Sequence, residues 1–262
     1  MLKKLWNKIR GKQTEPQFYA QKIDTETKLP LEEQVDNMLL GFYGPDALQK
    51  MKSFQLKLDS KRFEYKGLSF ETFNWTKNRE NLEEHFISWS CDDYPIGISL
   101  NYFDLVPDLP LEGNIEVIRD GYWEHGIAML KCDFTTIQEV LCLENLFKTV
   151  YEDHVVQYIA IVIIPFQDQS FVLKVFAEDY GSTGLRDTII TPFVCDNIMD
   201  RANATIYPYD DTKEGRMTIA ENEEFDELLP FHHLTILRKI MPSFLESISF
   251  SEELKNVPSF YQ

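Results

Sequence analysis

Several chemistries are missing from this chain. The four cysteines, Cys91, Cys132, Cys142 and Cys195, show no CxxC spacing and no histidine at zinc-finger intervals. Neither a disulfide framework nor a zinc ribbon is therefore written here. They read as reduced, buried thiols, because free cysteine packs as a small hydrophobe. No apolar run approaches the roughly 20 residues of a membrane span. The N-terminus is basic but lacks the apolar stretch of a signal peptide. These absences point to the cytoplasm. No P-loop, no G-x-S-x-G elbow, no H-E-x-x-H pair and no kinase signature occurs. The sequence therefore leads to the expectation of no cofactor and no resident metal.

Positive charge is also scarce. Lysine and arginine number 26 against 43 acids, a formal charge of −17. Five of the basic residues, Lys3, Lys4, Lys8, Arg10 and Lys12, crowd the first turns without an acid among them. The rest of the chain is thus more acidic still. Such a body repels nucleic-acid phosphates and anionic lipid, and suits solubility or a basic partner. The exception is Met1 to Lys12 itself, where Leu2, Leu5, Trp6 and Ile9 recur at helical spacing. A short basic amphipathic helix can touch a membrane surface, or fold back onto its own acidic body.

What is abundant is apolar and aromatic: 44% hydrophobic residues, nineteen Phe and twelve Tyr. That suits a sheet-rich core. The centre of the pattern is Val155 to Ile190. Tyr158 to Ile164 is a β-branched and aromatic run that reads as a strand buried on both faces. Pro165 ends it, and Phe166 to Gln169 make a turn. Phe171, Leu173, Val175 and Ala177 then alternate as a second strand. Gly181 and Gly184 break the period, with Ser182 or Thr183 placed to cap a helix that carries Arg186 and Asp187 in its first turn. An antiparallel hairpin at the centre of a sheet is the expectation.

Around this hairpin the chain divides into a basic N-terminal segment and linker, 1–30, and a single domain, 31–262. Leu31 to Gly41 and Pro45 to Leu58 read as helices. Gly67 to Trp75, His85 to Cys91 and Ile96 to Leu105 read as strands, with Asp92 to Pro95 as a turn. Leu111 to Trp123 reads as a helix and Gly126 to Phe134 as a strand. Ile137 to Val150 fits both periods; a meander into Val155 favours strand. Glu221 to Leu229 reads as a short acidic helix. Leu234 to Ile248 reads as a terminal amphipathic helix, kinked at Met241-Pro242. The fold class expected is α+β: a mainly antiparallel sheet with flanking helices, including that C-terminal one.

Two segments carry a resemblance. Glu178, Gly181, Thr183, Gly184, Arg186 and Asp187 form a hairpin-ending glutamate followed by G-x-T-G-x-R and an acid. Tyr207 to Asp210 and Phe225-Asp226 then stand where an acidic D-P-Y-D and a Y-D segment would fall, and Leu229 to Leu234 where a proline- and histidine-rich run would fall. In these features the chain resembles an uncharacterised bacterial family with a G-x-T-G-x-R loop after a central hairpin. The match departs at Tyr207, Phe225 and several places in the last run. It implies a fold and no activity. At the level of fold, a sheet closed by a helix is also similar to PsbP-like α+β proteins, which include secretion-effector chaperones.

The candidate contacts are Glu178, Thr183, Arg186, Asp187, Tyr209, Asp210, Glu223 and Asp226. Glycine-rich amides at a helix start attract anions, yet the same residues serve as a strand-to-helix turn fixed by an Arg186 ion pair. Arg186 is expected to pair with Glu178, Asp179 or Asp187, because an arginine in a helix's first turn opposes the dipole and needs a specific counter-charge. His232-His233 beside Glu221 to Asp226 does not read as a metal site, since adjacent histidines rarely point at one ion. Tyr207 to Asp211 with Glu221 to Asp226 is the densest acidic region, fit for a basic protein partner. The leading expectation is a non-enzymatic protein binder, immunity-like or effector-chaperone-like. The alternative is an enzyme or small-ligand domain built around Gly181 to Gly184.

Overall fold

The computed structural model describes residues 29–53, 61–109, 118, 121–122, 125, 127–150, 155–179, 184–194 and 217–261. The basic N-terminal helix, most of the 111–123 helix, the 201–216 loop and the candidate contacts Thr183, Tyr209 and Asp210 lie outside them.

Seven strands form one fully antiparallel sheet. They are β3 (Thr76–Asn81), β4 (Phe86–Ser90), β5 (Ile96–Phe103), β6 (Ala128–Ile137), β7 (Val140–Val150), β8 (Val156–Pro165) and β9 (Ser170–Asp179). Their spatial order is β3-β4-β5-β9-β8-β7-β6. The expected β8–β9 hairpin is present, with β9 the middle strand, paired from Val156↔Asp179 to Pro165↔Ser170. The Phe166 amide closes the turn on the Gln169 carbonyl at 2.8 Å. A second, three-stranded sheet joins β1 (Arg62–Tyr65), β2 (Leu68–Glu71) and β10 (Ser249–Phe250). Strands β1, β3 and β10 are too short, too charged or too late in the chain to announce themselves by period.

Among the described residues, the helices that complete the α+β architecture are α1 (Leu31–Tyr43), α2 (Pro45–Lys52), α3 (Leu185–Val194), α4 (His233–Ser247) and α5 (Glu252–Lys255). The α4 helix lays Leu237, Ile240 and Phe244 on one face of the large sheet, where Leu173, Val175, Val162 and Ile98 form the main core. Phe70 and Trp89 meet edge-on there at 5.6 Å. A second, smaller core gathers Val35 and Leu39 of α1, Ile189 and Ile190 of α3, and Phe225, Leu229 and Phe231.

Three expectations are corrected. β8 is fully buried on one face only: Tyr158, Ala160, Val162 and Ile164 are buried, whereas Ile159, Ile161 and Ile163 are half-buried. An unbroken apolar run was read as two buried faces, but a half-covered apolar face writes the same sequence. The acidic stretch from Glu221 is not an α-helix; it makes two 3₁₀ turns, Ile219–Glu221 and Glu223–Phe225. The α4 helix is not the terminus, because β10 and α5 follow it and tie the chain back to β2. Of the cysteines described, Cys142 is buried, as expected, while Cys91 and Cys132 are only half-buried.

Candidate functional site

Three of the described candidate residues, Arg186, Asp187 and Asp226, converge where one end of the large sheet meets the smaller core. By strand alternation Lys148, Tyr158 and Asp179 stand on the core face at the ends of β7, β8 and β9. Facing them are the first turn of α3, the 3₁₀ turn at Glu221 and the start of α4. The result is a buried polar layer between two apolar cores.

Arg186 is its centre. The side chain is 1% exposed. One terminal nitrogen meets Asp226 Oδ1 at 2.8 Å and donates to the Asn222 carbonyl at 2.7 Å. The other donates to Thr235 Oγ1 at 3.1 Å, and Nε donates to the Ala220 carbonyl. The expected structural ion pair therefore exists, but its acid is Asp226 rather than Glu178, Asp179 or Asp187. The acids nearest in sequence lost to one 40 positions on, because the polypeptide returns through the 3₁₀ turns and presents carbonyls to the same fork. Asp226 Oδ1 also accepts from Thr235 Oγ1 at 3.2 Å and from Arg238 at 3.1 Å. Arg238 in turn donates to the Glu221 carbonyl at 2.7 Å.

A second pair lies alongside. Lys148 Nζ is 2.5 Å from Glu221 Oε1, with the glutamate wholly buried. The other oxygen of Glu221 accepts the Thr218 amide at 2.8 Å, the reciprocal arrangement of a capping box. Thr218 Oγ1 donates to Asp187. Burial drives the Glu221 carboxyl upward, opposed by Lys148.

Asp179 and the two histidines form the third part. Asp179 Oδ1 is 3.8 Å from His233 Nδ1. The distance suggests an ion pair, but burial lowers the His233 pKa to about 3, so the ring is neutral at ordinary pH. Burial likewise raises Asp179 to about 6, with Lys148 pulling the other way. Tyr94 stacks on His233 at 4.8 Å and donates its hydroxyl to the Phe231 carbonyl at 2.6 Å. His232 accepts the Leu234 amide on Nδ1 at 3.2 Å and so caps α4 as a neutral ring. No group of three or more His, Cys, Asp or Glu side chains suited to a metal ion occurs among the described residues.

The remaining candidates sit apart. Glu178 points to the opposite face of the sheet and accepts Gln157 Nε2 at 3.0 Å. Glu223 is exposed, 3.7 Å from Arg238 Nε. Lys148, Thr235 and Arg238 were not among the sequence candidates. Lys148 had a signal: it occupies a core-face position of a strand whose other core-face residues include Cys142 and Leu146.

The arrangement is a lock rather than an open centre. Arg186 brings its donors to protein acceptors on three segments. In comparisons with known proteins, no family model matches this chain, and no curated protein does. Solved structures give weak similarities. A Bacteroides thetaiotaomicron protein has a TM-score of 0.34 at 12% identity, covering 47% of this chain and 44% of its own, so the match spans less than half of that protein. A Pseudomonas aeruginosa protein of unknown function has 0.31 at 10%, covering 58% and 98%. Cyanobacterial PsbP from Synechocystis has 0.29 at 8%, covering 53% and 91%. The last is a weak likeness to the PsbP-like shape named above.

Proposed function

We propose that this is a non-enzymatic protein that docks a basic protein partner through its acidic surface, in an immunity-like or effector-chaperone-like role. The supporting observation is the closure of Arg186 onto Asp226, Thr235 and two backbone carbonyls. A catalytic or anion-binding arginine keeps donors free for substrate, and this one holds the fold. The chemistry left for recognition is then at the surface. On the elements that build the smaller core, the acids Glu32, Glu33, Asp46, Glu224 and Glu227 are exposed, and so are the apolar Leu40 and Phe42. Clustered charge steers an oppositely charged partner, and an apolar anchor gives it residence. No helix among the described residues is long and apolar enough to cross a membrane.

The test is affinity capture from native lysate at low and high salt, read by mass spectrometry. A basic protein should be retained at low salt and released at high salt. The double variant Glu224→Lys, Glu227→Lys should lose it. Retention indifferent to salt and to charge reversal would contradict the proposal.

A further inference from the structure

The two ends of β9 differ. Asp179 at one end joins the buried polar layer, whereas Phe171 at the other pairs with Tyr102 near the end of β5. There the turn between β1 and β2 sets the Lys66 ammonium 4.3 Å from the centre of the Tyr102 ring. Tyr65 and His85 stand nearly perpendicular to that ring, at 6.2 Å and 5.3 Å. The Tyr65 hydroxyl and His85 Nδ1 share a hydrogen bond of 2.9 Å. Phe171 packs on Tyr102 from the core at 5.2 Å. The Tyr102 hydroxyl donates to Gln169 Oε1 at 2.9 Å and lies 3.3 Å from Asp104 Oδ1. Burial first, then the charges of Asp104 and Asp168, push its pKa up to about 12. The ring is thus held in place, neutral, with two carboxylates near its hydroxyl.

Two observations set this cation apart from an ordinary surface lysine. Lys66 and His85 both hold a φ of 50° and both end on Tyr102. Left-handed backbone is costly for a residue with a Cβ, and such strain collects where a side chain has a task. Lys66 also makes no ion pair among the described residues, and neither do the exposed Asp104 and Asp168. Its ammonium is answered by the ring instead, while the acids stay open to a second cation. Tyr102 is only 5% exposed, but the Lys66 side chain over its ring is exposed, on a four-carbon stem that swings clear without moving the core. The loops at this end leave Leu82, Leu105 and Val106 more than half exposed.

We propose that this end of the sheet docks a lysine-bearing apolar segment of a partner protein. The partner's ammonium replaces that of Lys66 on the Tyr102 ring, near Asp104 and Asp168, and its apolar neighbours rest on Leu82, Leu105 and Val106. Lys66 is then a tethered stand-in that keeps the ring covered until the partner arrives. Charge selects a foreign chain as the occupant: a second copy, at −17, would bring its own acids against these. The site is at the other end of β9 from the smaller core, so its failure would leave the acidic surface there standing as a separate question.

The probe is the peptide acetyl-Leu-Lys-Val-Lys-Leu-amide with a fluorescent label, read by anisotropy on the full chain, and the control carries glutamine for both lysines. One lysine peptide per chain should bind saturably, and the glutamine peptide about tenfold or more weaker. Leu105→Ser with Val106→Ser should weaken the lysine peptide by about tenfold through lost apolar contact. Asp104→Asn with Asp168→Asn should weaken it by about threefold or more. Lys66→Ala removes the tethered competitor and should tighten it by about threefold. Lys50→Ala, which removes the same charge on α2, should not. These positions are exposed, so the variants should melt in urea as the wild type does. Absence of saturable binding, equal binding of the glutamine peptide, wild-type affinity in either double variant, or no tightening in Lys66→Ala would overturn the assignment. So would self-association of the wild type that Leu105→Ser with Val106→Ser abolishes, because the patch would then meet a second copy.

Discussion

Asp179 shows how far a single residue can depart from its solution chemistry. Buried beside a neutral imidazole, its carboxyl is raised from 3.8 to about 6. A folded-state pKa above the unfolded one means the native state holds the proton more tightly. Its contribution to stability is therefore complete below about pH 4 and is lost as pH rises through 6. The neighbouring His233, lowered from 6.5 to about 3, acts in the opposite sense: its contribution is present above 6.5 and is lost as pH falls through 3. Asp179→Asn isolates the first effect. Between pH 4 and pH 7.5 the variant should gain stability relative to wild type, by roughly 3 kcal/mol at most. Urea melts at several pH values check this, and a difference that does not change with pH would show that Asp179 titrates normally.

At the scale of elements, the two hairpin turns explain what was legible and what was not. Both β1–β2 and β6–β7 are closed by two residues with positive φ. In the first these are Lys66 and Gly67, at 50° and 82°. In the second they are Gln138 and Glu139, at 45° and 74°. Left-handed conformations are costly for any residue with a Cβ, so turns of this kind usually announce themselves by glycine or asparagine. Gln-Glu gives no such signal, which is why Ile137 to Val150 fitted helix and strand alike until its neighbours favoured strand. Gln138 repays its strain, because its side-chain oxygen accepts the Phe250 amide at 3.0 Å and ties the hairpin to the small sheet. Glu139 is exposed. Glu139→Gly should therefore stabilise the protein by about 0.5–1 kcal/mol, seen as a higher urea midpoint. A lower midpoint would mean that the glutamate side chain does work at this turn. The central hairpin, α4 and the alternation of β5 and β9 were readable because each is long enough to repeat its period several times. The small sheet was not, because a four-residue or two-residue strand barely completes one repeat.

At the scale of the molecule, two apolar cores share one chain and meet through buried charge. Arg186, Asp226, Arg238, Lys148 and Glu221 come from four separate stretches of sequence, Glu221 and Asp226 sharing one. Periodicity along the chain could mark Arg186 as needing a counter-charge but could not name Asp226, because that choice is made by packing. Buried ion pairs of this kind are expensive to assemble and more expensive to break, since removing one partner strands the other in a medium of low polarity. The Arg186 fork is also specific in shape, so lysine is a poor substitute. The most direct test of the lock is the urea or thermal unfolding of Arg186→Ala against the wild type at neutral pH. A loss of about 3–5 kcal/mol, with the midpoint falling accordingly, is the predicted result. An unchanged midpoint would contradict the account and return Arg186 to the role of a ligand-binding residue.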